Sequence, residues 1–389
     1  MKRSVELQAK GAVMKKSTLK AMRFVGLDVH AETIAVAVAE PDGEVRSIGT
    51  IPNRQESVSR LVKKLNGSGA WEACYEAGPT GYALYWQLAK LGIVCTVIAP
   101  SLVPMKAGDR VKTDRRDAER LARSFRAGDL TAVWVPDTAH EALRDLVRAR
   151  EAAKRDELRA RHRLGKFLLR QGRRPPDTMR VWTKTYLQWI KAKVRFEEPT
   201  QQWVLNDYLN EVDHCGQRIQ RLEDLIDEAV KTAPATMREV IAALQALRGI
   251  AAMSAVTIVA EVGELSRFAT ARQLMGYSGA VPSEHSSGER TRRGHITKTG
   301  NSHLRRILVE AAWSQRLRPI LSRKVKIRQE GLAPEIVEVA SKAMHRLHKR
   351  YMQLLGKGKT VQQVVTAVAR EMLGFIWAIG VSVERRGSV

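Results

Sequence analysis

The chain has 389 residues, and its 66 Lys and Arg against 41 Asp and Glu give a formal net charge of +25 and a pI near 10.3. The length allows two domains that each bury a core of their own. A charge of this size favours polyanionic partners, with nucleic acid the first candidate, and no stretch is expected to span a membrane. The three cysteines have neither metal-ligand spacing nor a disulfide pattern, which indicates a reducing, cytoplasmic setting.

The N-terminal third is predicted to be an α/β domain over residues 23–136. A basic flexible arm, residues 1–22, precedes it and lacks the apolar core of a secretory signal. The predicted strands are Phe24–Asp28, Thr33–Val38, Val45–Ile51, Trp71–Glu76 and Ile93–Ile98. The predicted helices are Glu56–Leu65, Tyr82–Leu91 and Asp114–Arg126. Three strands in a meander, followed by alternating helices and strands, are typical of a ribonuclease-H-like fold.

Four carboxylates stand where such a fold would place metal ligands. Asp28 and Glu76 end two predicted strands, and Asp114 and Asp117 lie three apart at a helix start, so that both face one side. Strand-end carboxylates facing a helix-borne pair can hold two Mg²⁺ ions, which serve phosphodiester chemistry. Solvated surface charge or helix capping is the alternative for any one of them. Their joint order favours the metal site.

Residues 137–236 are predicted to form long, charged helices without strands. Two amphipathic patterns, Glu141–Gln171 and Gln201–Val230, are separated by the break at Gly172–Pro176. They are interpreted as a coiled-coil-like arm, with a helical subdomain packed on its own chain as the alternative. The stretch Arg144–Arg174 is strongly basic and is a candidate nucleic-acid contact.

Residues 237–389 are predicted to form a compact, mainly helical domain. Two short helices are expected at Leu244–Ile250 and Ser254–Val262, around a glycine turn. Paired helices of this kind can present backbone amides to a phosphate. The segment Gly249–Ala252 lacks a second glycine, so plain packing is an equal alternative.

The densest polar signal lies between Pro282 and Arg306. Glycines flank clustered Arg, Lys, His, Ser and Thr there, which are the makings of a phosphate cradle. A serine in such a cradle can attack phosphorus once its proton is removed, although the sequence identifies no base and only shows that His285 adjoins. An exposed basic loop is the alternative. The candidate phosphate contacts are Arg290, Arg292, Arg293, Lys298, Arg305 and Arg306.

These motifs together resemble the DEDD transposases of the IS110 and IS1111 insertion sequences, relatives of the Piv invertases. The resemblance covers nearly the whole chain, up to Trp377. The N-terminal landmarks are Phe24–Asp28, Tyr75–Gly78 and Lys112–Ala118. The C-terminal landmarks are Arg267-Phe268 before Gly276-Tyr277, then His285–Gly288, Thr297–Asn301 and Leu304–Arg306. Glu289 stands where the family usually has a second glycine.

The resemblance implies a RuvC-like N-terminal domain that binds Mg²⁺ through the four carboxylates. It also implies a C-terminal transposase domain whose nucleophilic serine is Ser286, with Ser287 as the fallback. Members of this family join element ends through a circular DNA intermediate and recombine DNA by a covalent phosphoserine linkage. A noncoding bridge RNA guides them, and they act as dimers and tetramers with composite active sites. The implied location is the nucleoid of a bacterial or archaeal cell.

Two other functions are weighed against this one. A RuvC-like structure-specific endonuclease would use water as the nucleophile and the serine block only to bind phosphate. A non-enzymatic nucleic-acid-binding protein would have no need of the carboxylate set, which argues against it. A protein–DNA adduct that survives SDS separates the recombinase from the endonuclease.

Overall fold

The computed structural model describes residues 22–104, 113–288, 290 and 292–387. These residues form two compact units, with the division between Val135 and Pro136. Three residues or segments named above lie outside the described residues: the basic arm up to residue 21, Lys112 and Glu289.

The first unit is a mixed α/β domain built on a five-stranded sheet. Its strands are β1 (Arg23–Val29), β2 (Thr33–Ala39), β3 (Val45–Pro52), β4 (Trp71–Glu76) and β5 (Cys95–Ile98). Its helices are α1 (Gln55–Asn66), α2 (Ala83–Lys90) and α3 (Asp114–Ala127). The eight elements predicted from sequence are confirmed here, with small shifts at their ends.

The strand order β3-β2-β1-β4-β5 places β1 at the centre of this sheet. Strand β1 runs antiparallel to β2 and parallel to β4, and β4 runs parallel to β5. Leu27 of β1 lies opposite Tyr75 of β4. The residues that follow them, Asp28 and Glu76, therefore stand next to one another at the carboxyl ends of adjacent strands.

Side-chain alternation along β1 separates the apolar core from the face that carries the carboxylate. Val25 and Leu27 are buried with residues of α1 and α2 on one face of the sheet. Gly26 faces α3 on the other side, and Asp28 shares its parity. A Cβ on Gly26 would lie 2.3 Å from the Ala118 carbonyl oxygen, so only glycine allows this approach. Small residues line the same contact: Ala35, Ala37, Ala39, Ala118 and Ala122.

The second unit is mostly helical. Its first helices are α4 (Thr138–Arg170), α5 (Lys184–Lys193), α6 (Pro199–Thr232), α7 (Ala235–Leu244), α8 (Ala252–Val262) and α9 (Ala271–Ser278). A two-stranded hairpin follows, with β6 (Pro282–Glu284) and β7 (Arg293–Ile296). The last helices are α10 (Ser302–Ala312), α11 (Arg323–Gln329), α12 (Pro334–Gly356) and α13 (Val361–Arg386).

The two long helices predicted between residues 137 and 236 are confirmed as α4 and α6. They pack along one another, and ion pairs tie their sides: Arg150 to Glu223 at 2.6 Å, and Arg218 to Asp156 at 2.9 Å. Helix α5 was not predicted. It buries Ile190 against α4 and α6, and its one sequence signal is the N-cap at Thr183.

The helix predicted at Leu244–Ile250 is wrong. Helix α7 ends at Leu244, and residues 245–251 are a succession of turns closed by hydrogen bonds between residues three apart. Leu244, Leu247 and Ile250 are nevertheless buried, because a chain of such turns repeats every three residues and mimics a helical pattern. Gly249 packs against the Ala311 carbonyl, which agrees with the packing alternative.

Helix α13 is long and apolar enough to cross a bilayer by length and composition alone, which sequence inspection did not predict. In this chain it is a core helix. Val364, Val368, Met372 and Ile376 are fully buried among the other helices of the second unit.

We predict that Gly26→Ala destabilises the first unit by about 1–3 kcal/mol, because the added methyl forces α3 away from β1. Urea denaturation measures the loss. Gly67→Ala is the matched control, since Gly67 has φ −66° and its added Cβ would be 3.7 Å from the nearest atom. Equal stabilities of the two variants would contradict the close-packing argument.

Candidate functional site

The acidic cluster, defined as Asp28, Glu76, Asp114 and Asp117, gathers at one end of the sheet in the first unit. Strand parity puts Asp28 and Glu76 on the face covered by α3, and α3 begins at Asp114. The Thr113 side chain caps this helix by accepting a hydrogen bond from the Arg116 amide at 3.3 Å. The first turn of α3, which bears both aspartates, is thereby held against the strand ends.

Two basic side chains bridge the carboxylates. The Nε2 atom of His30 lies 3.2 Å from an Asp28 oxygen and 3.5 Å from an Asp114 oxygen. The Arg120 guanidinium lies 2.7 Å from an Asp117 oxygen and 4.0 Å from a Glu76 oxygen. The four carboxylates are therefore linked in two pairs, one through the imidazole and one through the guanidinium.

The carboxylates differ in burial and in charge environment. Asp117 is 5% exposed, whereas the Asp114 side chain is 61% exposed. Partial burial raises the pKa of Asp28; His30 lowers it, and the nearby Asp117 and Asp114 raise it further. Crowded negative charge at partly buried carboxylates is the electrostatic situation that a cation relieves.

The donors available here fit a divalent cation. Asp28, His30 and Asp114 each offer a ligand atom, and these atoms lie within 4.8 Å of one another. Two carboxylates supply the oxygen atoms that Mg²⁺ prefers, and an imidazole is a ligand for other divalent metals. A cleft of about 620 Å³ opens beside them, lined by Asp28, His30 and Glu76.

The serine hairpin, residues 282–296, occupies the second unit. Glu284 pairs with Arg293 across its two strands, and Ser287 bridges to Arg290 near its tip. Over its described residues this segment is therefore a hairpin, whereas the alternative weighed from sequence was an exposed basic loop. Ser286 and Ser287 are both exposed, so either hydroxyl can meet a large substrate.

The Ser286 hydroxyl has a defined acceptor within the hairpin. Its Oγ donates to Glu284 Oε1 at 2.9 Å, and Arg293 Nε donates to the other Glu284 oxygen at 3.3 Å. These hydrogen bonds hold the pKa of the exposed Glu284 below its usual value. Sequence reasoning looked to His285 and missed Glu284, which strand alternation places on the side of Ser286.

The candidate phosphate contacts divide into two groups. Arg290, Arg292 and Lys298 are exposed and have no ion pair among the residues described. The other three interact with the protein itself: Arg293 with Glu284, Arg305 with the Ser278 carbonyl, and Arg306 with Glu151 and Glu310. In the long basic stretch, Arg144, Arg148 and Arg150 are likewise engaged by protein groups.

A buried polar network supports the base of the hairpin. Glu261 of α8 is fully buried and accepts two hydrogen bonds from Arg148 at 2.8 Å and one from Asn301 at 2.7 Å. The Asn301 side chain also caps α10 by accepting a hydrogen bond from the Leu304 backbone amide. The Asn301 backbone amide donates to the Tyr277 carbonyl. The chain leaving β7 is thereby fixed to α4, α8 and α9.

A glycine closes the base of the hairpin. Gly279, with φ +65°, lies against the Thr299 carbonyl oxygen, which a Cβ would approach to 2.0 Å. The neighbouring Lys298 amide donates to the Gly279 carbonyl at 3.1 Å.

Comparison with known proteins decides the family. A family model for the DEDD transposase domain of IS110 elements matches residues 25–171, and one described as the IS116/IS110/IS902 transposase family matches 241–325. The Sinorhizobium fredii protein y4qE, named as a transposase, is 45% identical over 359 residues, covering 92% of this chain and 88% of that protein. This chain belongs to the IS110 family of insertion-sequence transposases. It is accordingly an enzyme of DNA transposition.

Other relatives of this IS110-family transposase span the same range. The transposase for the insertion sequence element IS1533 of Leptospira borgpetersenii is 32% identical over 348 residues, which is 88% of this chain and 99% of that protein. The pilin gene-inverting protein of Moraxella bovis is 25% identical over 274 residues, 70% of this chain and 67% of that protein. The resemblance to DEDD transposases and to invertases drawn from the sequence is confirmed.

His30 and Arg120, which contact the acidic cluster, were not identified as site residues from the sequence. His30 follows Asp28 by two residues, which places it on the same side of the strand end. Arg120 follows Asp117 by three residues, one turn along α3. Both spacings were visible in the sequence, but neither residue ends a strand or opens a helix.

We predict that Glu261→Gln lowers the free energy of unfolding by about 2 kcal/mol at pH 7, because Arg148 loses a buried charged partner. Burial raises the pKa of Glu261, but hydrogen bonds from Arg148 and Asn301 outweigh it and set the pKa below the ordinary 4.5. The ionised group therefore stabilises the fold above pH 4.5, and this contribution is lost as pH falls through the lower, folded-state pKa.

Urea denaturation between pH 3 and pH 7 measures this effect, at roughly unit intervals. The gap between wild type and Glu261→Gln is expected to narrow as the solution becomes acidic. Glu338→Gln is the control, because Glu338 is a solvent-exposed partner of Lys342 and is expected to change little. A gap that stays constant with pH would contradict the assignment of the ionised form.

Proposed function

We propose that this transposase is a Mg²⁺-dependent, site-specific recombinase that excises and inserts its element through a covalent phosphoserine intermediate. The gathering of Asp28, Glu76, Asp114 and Asp117 at one end of the sheet, where Asp28 and Glu76 line a cleft, is the observation that carries the proposal. The family resemblance and the exposed Ser286 support the serine step. The strand order with β1 at its centre supports a RuvC-like, ribonuclease-H-like first domain.

The acidic cluster would hold the metal through Asp28, Glu76, Asp114 and Asp117, with two ions per site. A divalent ion bound there supplies Lewis-acid stabilisation of charge at a phosphodiester. His30 and Arg120 position the carboxylates around the cleft by their hydrogen bonds. Pro79 and Thr80, which follow Glu76 in the chain, line the same cleft.

The serine step is a transesterification that conserves the phosphodiester. The Ser286 Oγ forms a bond to phosphorus while the bond from phosphorus to one strand oxygen breaks. The hydroxyl proton passes to the Glu284 carboxylate, and the departing strand oxygen takes a proton from solvent. Exposed Arg290 and Arg292 offset the charge at the pentacovalent phosphorus. Rejoining reverses these steps on a second strand end, so no external energy source is required.

The remaining proposals concern partners and organisation. We propose that a structured noncoding RNA selects the DNA target by base pairing, as in other guided systems. We further propose a dimer or tetramer in the cytoplasm, associated with the nucleoid, whose helices α4 and α6 form a coiled-coil-like arm. The proposed division is 1–22, 23–136, 137–236 and 237–389. Target choice by RNA-free protein at physiological salt would contradict RNA guidance.

A structure-specific endonuclease is the second candidate. All members of the acidic cluster come from the first unit, so that unit alone carries a complete carboxylate set. In this case water would attack the phosphodiester and the serine hairpin would only bind phosphate. A cleaved product without an SDS-resistant protein–DNA adduct would favour this candidate.

We expect Asp28→Asn, Glu76→Gln, Asp114→Asn and Asp117→Asn each to abolish strand cleavage while sparing nucleic-acid binding. Each change removes a charged ligand and keeps the side-chain size. Cleavage of labelled element-end DNA and gel-shift titration measure the two properties. Ca²⁺ in place of Mg²⁺ is expected to allow protein–DNA complexes to form but to suppress strand cleavage. Glu119→Gln is the control, because Glu119 lies on the same helix and pairs with Arg115 one turn away. Full activity in two cluster variants would refute the site.

Ser286→Ala is expected to bind DNA but form no SDS-resistant adduct, since alanine removes only the hydroxyl. Glu284→Gln is expected to slow adduct formation about 100-fold, the lower range for loss of a general base. Ser287→Ala is the matched control and should form adduct normally. A mixture of Ser286→Ala protein and Asp28→Asn protein should regain partial recombination activity if the active site is shared between subunits. Adduct from a Ser286→Ala/Ser287→Ala double variant would end the serine mechanism.

A further inference from the structure

A basic cavity lies against the serine hairpin, within the second unit. Its volume is about 510 Å³, in the range of small-ligand pockets. One wall comes from the hairpin, through Pro282, His295 and Ile296. The opposite wall comes from the end of α12 and the first turns of α13. The hairpin that carries Ser286 therefore also forms one wall of this cavity.

Positive charge converges on this cavity. Lys298, Lys359 and Arg370 line it, and none of the described lining residues is acidic. The structure gives these three side chains no ion pair within the described part of the chain. Three cations that converge without a counter-charge repel one another, and a bound anion would relieve that repulsion.

The backbone at Lys298 adds an independent observation. Lys298 has φ +56°, one of two positive values among the described residues that are not glycine. Such a conformation is costly for a side chain with a Cβ and persists where the surroundings impose it. Here the bonds of Lys298 and Asn301 to the end of α9 impose it. The lysine is thereby held at the mouth of the cavity.

The rest of the cavity is not a simple anion cradle. Leu354, Val364 and Ala367 supply an apolar floor, and Gln362 and Thr366 supply neutral hydrogen-bonding groups. A free phosphate would leave the apolar floor of the cavity in contact with water. A nucleotide matches both parts, because its phosphate is anionic and its base combines flat apolar faces with a polar edge.

We propose that this cavity binds one unstacked nucleotide of a nucleic-acid strand. Lys298, Lys359 and Arg370 hold its phosphate, and the base lies on the apolar floor of α12 and α13. The inference rests on the proposed function in one respect: the strand is either recombining DNA or the guide RNA. The site anchors that strand next to the serine hairpin and so fixes the register of the scissile phosphate relative to Ser286.

The test uses the full chain with Lys359→Gln/Arg370→Gln, which leaves the hairpin unchanged. Fluorescent single-stranded DNA and RNA of equal length are the probes. We expect about tenfold weaker binding of the anchored strand and a salt slope smaller by ~0.7 for each lost phosphate contact. Arg323→Gln/Lys324→Gln on α11 removes the same charge from exposed positions and is expected to change binding less than threefold. Equal losses of binding affinity in the two double variants would overturn the assignment of the cavity as a nucleotide site.

A second measurement locates the strand directly, even if the double variant folds poorly. Photo-cross-linking of wild-type protein with 4-thiothymidine DNA or 4-thiouridine RNA is followed by peptide mapping. Cross-links within 354–370 from DNA, or from RNA, support the site and identify its strand, and cross-links only elsewhere overturn it. Ser286→Ala protein should give the same cross-links. If cross-links form but wild type yields no adduct, the serine mechanism fails and the cavity assignment stands.

Discussion

The acidic cluster depends on how closely α3 can approach β1. A helix that packs on a strand through ordinary side chains is held away by their Cβ atoms, whereas Gly26 lets the α3 backbone touch the strand at Ala118 and Ala122. Asp28 lies two residues beyond Gly26 on the same face, and the first turn of α3 carries Asp114 and Asp117. The same contact that buries these small residues therefore brings Asp28 and Asp114 within reach of the His30 imidazole.

This arrangement has an electrostatic cost that the protein offsets locally. Partial burial raises the pKa of Asp28, and the neighbouring Asp117 and Asp114 raise it further, whereas His30 lowers it. His30 and Arg120 reduce the repulsion without filling the cleft. A bound cation, as proposed above, would neutralise the negative charge that remains. The chain as a whole carries a net charge of +25, which favours polyanionic partners.

The serine hairpin meets a different constraint. Its residues are exposed, so burial of apolar side chains cannot hold it, and polar bonds at its base do so instead. Glu261 is the centre of that support, since it joins Arg148 of α4 to Asn301 beyond β7. A buried carboxylate is tolerated there because all its bonds come from charged or amide donors. The exposed tip can then present Ser286 while its base stays fixed.

Local pattern by itself determined the order of strands and helices in the first unit and the two long helices of the second. Alternation and helical periodicity report which face of each element is buried, and those signals are strong from Arg23 to Ala127. The four carboxylates were found the same way, because each stands at the end of a strand or the start of a helix. The signal failed at 244–250, where turns imitate helical spacing, and at α5, which is short and buries few residues.

Tertiary structure alone decided what surrounds these groups. Four contacts depend on distances between elements: His30 with Asp114, Arg120 with Glu76, Arg293 with Glu284, and Arg305 with the Ser278 carbonyl. Sequence shows a basic residue equally well whether a carboxylate lies opposite it or not. The cavity against the hairpin is the clearest case, because Lys298 and Arg370 are 72 positions apart and meet only through the packing of α13.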